Sequence, residues 1–161
     1  MSKFKKFDDI VKDILSNSEF RELDKEYHHG ITRYGHSMRV AKLSYNIARY
    51  FNLKNYEEMT RAALLHDFFK REEIKSEWLK VAFDHPMKAY ENASKYYELN
   101  EMQKNIIQSH MFPLSYVLPR YKESWIVSLV DKTVAAYEYT RYKAALTTTI
   151  YLMFVFNMLT K

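Results

Sequence analysis

Residues 33–51 read RYGHSMRVAKLSYNIARYF, and their spacing decides the class of the fold. His36, Val40, Leu43, Ile47 and Phe51 recur every three or four positions, the period of an α-helix with one face turned inward. The same period extends in both directions. Upstream, Phe7, Ile10, Val11, Ile14 and Leu15 form a helical face that closes near Asn17. Downstream, Asn55 followed by Glu58 has the form of an N-cap with its capping-box acid, opening a helix through Met59, Ala62, Ala63 and His66. Ser76 is placed to cap a short helix holding Trp78, Leu79 and Val81. Pro86 suits the first turn of the next, which runs through Ala89, Ala93 and Tyr97. Asn100 opens a helix carrying Ile106, Ile107 and His110, and Pro113 stops it. Met111 to Tyr121 reads as a loop, and a long helix through Trp125, Ile126, Leu129, Val130, Thr133, Val134 and Tyr137 follows. No stretch alternates with period two for long enough to be a strand, and there is no internal repeat. The sequence predicts an all-α fold in one domain over residues 1–161. Its core would span about residues 30–140, with the N-terminal helix and an apolar C-terminal helix packed on it.

The 161 residues include 25 Lys and Arg against 20 Asp and Glu, no Cys, 2 Gly and 3 Pro. Without Cys there is no disulfide framework, thiolate zinc site, iron–sulfur cluster or Cys nucleophile. The net charge of +5 favours anionic partners, but acids and bases alternate, as in Lys70-Arg71-Glu72-Glu73. A nucleic-acid footprint needs a concentrated stripe, so none is expected here. Lys3, Lys5 and Lys6 read as a solvated helix face, and charge interrupts any signal peptide at the amino end. The longest apolar stretch, Ala144 to Leu159, is shorter than the ~20 residues of a spanning helix and contains three Thr and an Asn. It is read as a buried terminal helix, with a membrane contact not expected and a homodimer face as the alternative. The expected compartment is the cytoplasm.

Histidine carries the chemistry. His36 lies at the start of one helix, His66 near the end of another and followed at once by Asp67, His85 at a helix start, and His110 at a helix end. Asp131 falls in the apolar run 126–134, where an ionised carboxylate needs a compensating cation. His36 shares the spacing of Val40, Leu43 and Ile47, and His110 that of Ile106 and Ile107, so both are expected to face the core. Imidazoles converging on buried acids are natural ligands for one or two divalent transition-metal ions of the Fe, Mn, Co, Ni or Zn type. A single buried His is more often a hydrogen-bonded core residue; the ordered set of six is hard to explain by packing.

Arg-Tyr-Gly-His-Ser-Met-Arg-Val at 33–40, Leu-Leu-His-Asp at 64–67, His85-Pro86, His110 and Leu-Val-Asp-Lys at 129–132 together resemble the HD superfamily of metal-dependent phosphohydrolases. The resemblance implies that His36, His66, Asp67 and Asp131 hold one metal. His85 and His110 match the binuclear branch, in which Asp67 bridges two ions. The Gly-Tyr-Pro motif of the branch that cleaves cyclic dinucleotides is absent. Where small HD nucleotidases place an acid three residues after the aspartate, this chain has Lys70, an arrangement shared with binuclear dinucleoside polyphosphate hydrolases. The motif His110-Met111-Phe112-Pro113 departs from theirs. The expected activity is hydrolysis of a phosphate ester or anhydride of a nucleotide or other small phosphorylated metabolite. Asp67 and Lys70 would be catalytic, and Arg33, Arg39, Lys70 and Lys132 would be candidate phosphate-binding groups. A non-catalytic module that keeps the metal cage to bind a phosphorylated ligand or protein partner is the alternative. His28 and His29 precede Gly30 in an expected loop before the His36 helix, either lining the mouth of the site and bonding to its ligands or lying on the surface without a role.

Overall fold

The computed structural model describes residues 4–28, 30–74 and 78–159. Seven helices are found among them: α1 (Phe7–Ser16), α2 (Ser18–Glu22), α3 (Arg33–Tyr50), α4 (Tyr56–Leu65), α5 (Trp78–Ser94), α6 (Glu101–Ser109) and α7 (Lys122–Leu159). A minimal antiparallel pair, β1 (Tyr27–His28) and β2 (Ile31–Thr32), closes through Gly30 and leads into α3. Gly30 has φ +78°, the left-handed region where a side chain is strained, and a Cβ there would come within 2.9 Å of the Tyr142 ring. The fold is an all-α bundle, as the periodicity predicts.

α4 is the central helix. Met59, Thr60, Ala62, Ala63, Leu64 and Leu65 are all buried, a pattern that goes round the helix because α1, α3, α5, α6 and α7 surround it. α3 lies against it through Ser37, Val40, Ala41, Ser44 and Ala48, mostly small residues that let two backbones approach closely. This stripe is rotated by roughly a quarter turn from the expected one. Leu43 and Phe51 are exposed, and His36 sits at the edge of the core, not within it. The larger apolar side chains were therefore a poor guide to the buried face.

Caps explain several boundaries and correct others. Asn100 accepts from the Gln103 amide at 2.8 Å, and the Gln103 side chain returns the bond, so α6 starts where expected. Asn55 precedes α4 without capping it; its amide donates instead to Glu123 at 3.3 Å. The two helices expected around Pro86 are one, α5, with Pro86 inside it and lacking the donor for a bond four residues back. Ser76, expected to cap there, lies outside the described residues, as does His29.

The hydrophobic core is continuous from Ile10 to Val134. α7 joins it through Val127, Val130 and Val134, with Ser124 donating to Asn105 and Ser128 to the His110 carbonyl. Beyond Glu138 the helix continues, yet no described residue of it is buried. The packing expected for the apolar Ala144–Leu159 segment is thus not found among the described residues. Leu146, Ile150, Leu152 and Met153 face solvent. No helix of the described residues is long and apolar enough to cross a membrane.

Candidate metal centre

Helix ends aim two of the imidazoles. The last carbonyls of a helix have no intrahelical partner. His66, just past α4, donates from Nδ1 to the Ala63 carbonyl at 2.8 Å; His110, just past α6, does the same to Ile107 at 2.7 Å. His85, within α5, binds the Val81 carbonyl through Nδ1 at 2.8 Å. A carbonyl accepts only, so each Nδ1 carries the ring proton and each Nε2 points inward with its lone pair free.

These nitrogens converge on acids from two other places. His66 Nε2 lies 3.5 Å from Asp131 Oδ1 and 4.0 Å from Asp67 Oδ2. Asp67 Oδ1 is 3.3 Å from His85 Nε2 and 3.7 Å from His110 Nε2. His36, in the first turn of α3, reaches Asp131 Oδ1 at 3.0 Å through Nε2. The six residues form three overlapping groups: His36, His66 and Asp67; His66, His110 and Asp131; Asp67, His85 and His110. Within each group the donor atoms lie within 4.8 Å of one another.

Two features show that this cluster suits a cation. His85 Nε2 and His110 Nε2 stand 2.8 Å apart, and with both protons committed to Nδ1 two lone pairs face each other. Buried His66 Nε2 and Asp67 Oδ1 have no hydrogen-bond partner. Each would cost about 1–3 kcal/mol if left so. A positive ion among them removes both penalties, and nitrogen with carboxylate oxygen is a donor set for divalent metals.

The electrostatics keep the donors in ligand form. Burial pushes His85 down, and burial together with the nearby imidazoles pushes His110 down to about 3, so both rings are neutral at ordinary pH. Burial opposes the charged Asp67 and Asp131 carboxylates. The electrostatic influence of the adjacent His66, His85 and Arg33 side chains overrides it at Asp67, and the bonds from His36 and His66 do so at Asp131; both are held well below the usual range. His36 differs. Burial disfavours its charged form, but Asp131 and Glu138 outweigh burial and raise the ring to about 10.

Glu138 is a site residue that sequence reasoning missed. Its Oε2 accepts from His36 Nδ1 at 2.8 Å and its Oε1 from Arg39 at 2.7 Å, making a carboxylate brace behind an imidazole. Its signal was available: Glu138 follows Asp131 by seven positions, two turns along the same face of α7. A cavity of about 410 Å³ opens beside the cluster, lined by His36, Asp67, His85, His110, Asp131 and Glu138 with Arg33, Phe69, Arg71 and Tyr139 among others. The Arg33 guanidinium stacks 3.8 Å from the Phe69 ring centre and reaches Asp67 Oδ2 at 3.4 Å, leaving its buried Nε without a partner.

The other expected phosphate-binding groups lie elsewhere. Lys70 faces away from the cavity, and its ammonium is held by Glu19 at 3.0 Å because the chain turns after Asp67. Lys132 is half-buried and donates to the His110 carbonyl at 2.8 Å, which fixes the end of α6. Arg39 is committed to Glu138. Of the four basic candidates, Arg33 alone lines the cavity.

No curated protein and no solved structure matches the chain. The family model of the HD domain matches residues 33–136, well over half of the sequence and the whole span from His36 to Asp131. The ordered His, His-Asp and Asp, brought round one cavity by α3, the end of α4 and α7, is accordingly the pattern of a family, and the chain belongs to the HD domain family.

Proposed function

We propose that this protein is a metal-dependent phosphohydrolase acting on a phosphate ester or anhydride of a nucleotide or another small phosphorylated metabolite. The observation that carries the reading is the set of three imidazoles, His66, His85 and His110, each tied through Nδ1 and aimed through Nε2 at Asp67. HD domains are commonly metal-dependent hydrolases, which supports the same reading.

His36, His66, Asp67 and Asp131 would hold one divalent cation, and Asp67, His85 and His110 a second, with Asp67 shared. Such ions lower the pKa of water and stabilise charge on phosphoryl oxygens. The chain's own groups prepare the rest. Glu138 fixes the orientation of His36, so that Nε2 faces the cluster. Arg33, immobilised on Phe69 and lining the cavity, offers its guanidinium to a phosphate oxygen. The apolar walls, including Val81, Met111 and Ala135, limit water and strengthen every charge interaction inside.

The test is elemental analysis of protein purified with Mn, Co or Ni, followed by phosphate release from a panel of nucleotides and sugar phosphates. The expected result is one or two ions per chain and turnover of at least one phosphate ester. Bound metal with no release from any substrate would instead support a binding module.

A further inference from the structure

The distal half of α7 lies outside the protein's own core. Every residue from Tyr139 to Met153 whose side chain is described is exposed, with Ile150 and Leu152 each 59% and Met153 67% accessible. Successive helix positions step by 100°, so the seven consecutive apolar residues 150–156, IYLMFVF, occupy positions that encircle the axis. A helix apolar on all sides needs an apolar environment on all sides. A second copy would cover one stripe of it and leave the opposite side wet, whereas a lipid phase covers the whole.

The residues at the base of this run point to the same occupant. Tyr137, Tyr139 and Tyr142 alternate with Arg141 and Lys143. Arg141 donates to the Tyr137 hydroxyl at 3.0 Å, and the Lys143 ammonium lies 5.4 Å from the Tyr139 ring centre. Residues 139–161 contain no acid, while Arg141, Lys143 and Lys161 are basic. Amphipathic rings and cations next to an apolar run match the headgroup layer of an anionic bilayer, where each basic side chain adds about fivefold to binding. Residues 144–159 rise about 24 Å, enough to reach well into a hydrocarbon core of ~30 Å.

We propose that residues 139–159 dock this protein on an anionic lipid bilayer, with the apolar run entering the acyl region and Arg141 and Lys143 at the phosphate headgroups. Tyr139 lines the cavity, so docking would hold the cavity mouth within about 8 Å of helix rise from the start of that run. The inference stands on the surface of α7 and is independent of the proposed hydrolysis.

Vesicle sedimentation of the full chain tests it. Mixed phosphatidylglycerol–phosphatidylcholine vesicles should carry the protein down about tenfold better than phosphatidylcholine alone. Leu152→Glu with Met153→Glu should abolish binding, and Arg141→Glu with Lys143→Glu should weaken it by about tenfold or more. Both double variants should keep the helical circular dichroism and the urea midpoint, because these side chains are exposed. The chain lacks Cys, so Met153→Cys accepts one polarity-sensitive dye, whose emission should shift to the blue only when anionic vesicles are added. Protein that stays in the supernatant, variants that bind as well as the original, or a dye already shielded by self-association without lipid would each overturn the proposal.

Discussion

The two halves of α7 are one continuous helix with opposite relations to the rest of the protein. From Lys122 to Glu138 it carries polar and charged residues into the interior: Ser124, Ser128, Asp131 and Glu138 are buried beside Val127, Val130 and Val134. From Tyr139 onward it is richer in apolar residues, yet none of its described side chains is buried. Burial here follows partners, not hydrophobicity. The proximal half lies against α3, α4 and α6, and every polar group it buries has a bond waiting, such as Asn105 for Ser124 and His36 for Asp131. The distal half passes beyond those helices.

The sharpest way to break this contrast is to remove chemistry from the proximal half. Asp131→Ala should eliminate metal uptake by elemental analysis and lower phosphate release by about a thousandfold or more, as losing a central charged group commonly does. The equivalent distal change, Leu152→Ala, should leave both within error. If Asp131→Ala retained its metal and turnover, the proximal half would be mere packing. Glu138→Gln is the next step down. It keeps the shape but loses the charge behind His36, and should weaken metal affinity by about 10–100-fold in a chelator competition.

Stability should divide along the same line. Val127→Ala deletes two buried methyl groups and should cost about 2 kcal/mol in urea unfolding of metal-free protein. Leu146→Ala, at an exposed position, should change it by less than about 0.5 kcal/mol. A large cost at Leu146 would mean that the distal half finds a partner within the folded chain.

The contrast also explains how much of the molecule was legible in its sequence. Helix identity was readable because period is a local property, and α1, α3, α6 and the proximal part of α7 fall where their apolar spacing places them. Facing direction was less so: α3 buries Ser37, Ala41 and Ser44, since close approach to α4 favours small side chains over large ones. The six metal-type side chains were legible by residue type and order, because a buried acid among apolar neighbours demands a cation. Lys70 and Arg39 were not, as a basic residue one turn from a site can turn either way. Their partners, Glu19 and Glu138, come from distant parts of the chain that spacing does not reveal.

The smallest expected effect lies at Glu138, where the two halves of α7 meet, and it is a matter of pH. Burial opposes the Glu138 carboxylate, but His36 and Arg39 hold it below its ordinary value. A carboxylate with a lowered folded pKa stabilises the protein above its unfolded pKa, and that stability is lost as pH falls through the folded one. His36 has the opposite sign: raised to about 10, it stabilises metal-free protein below an unfolded pKa of about 6.5, and the contribution fades as pH climbs towards 10. The pair should therefore give metal-free protein a stability maximum between the acid and alkaline losses. Glu138→Gln should flatten both flanks of the urea-midpoint profile, because it removes the acid from one side and a proton-holding partner from the other. Loading with metal should flatten the alkaline flank alone in the unsubstituted protein, since a cation competes with the proton for His36 Nε2 while Glu138 stays ionised against Arg39. Distal changes such as Leu152→Ala should leave the profile unmoved at every pH, which would tie the titration to the buried half of the helix.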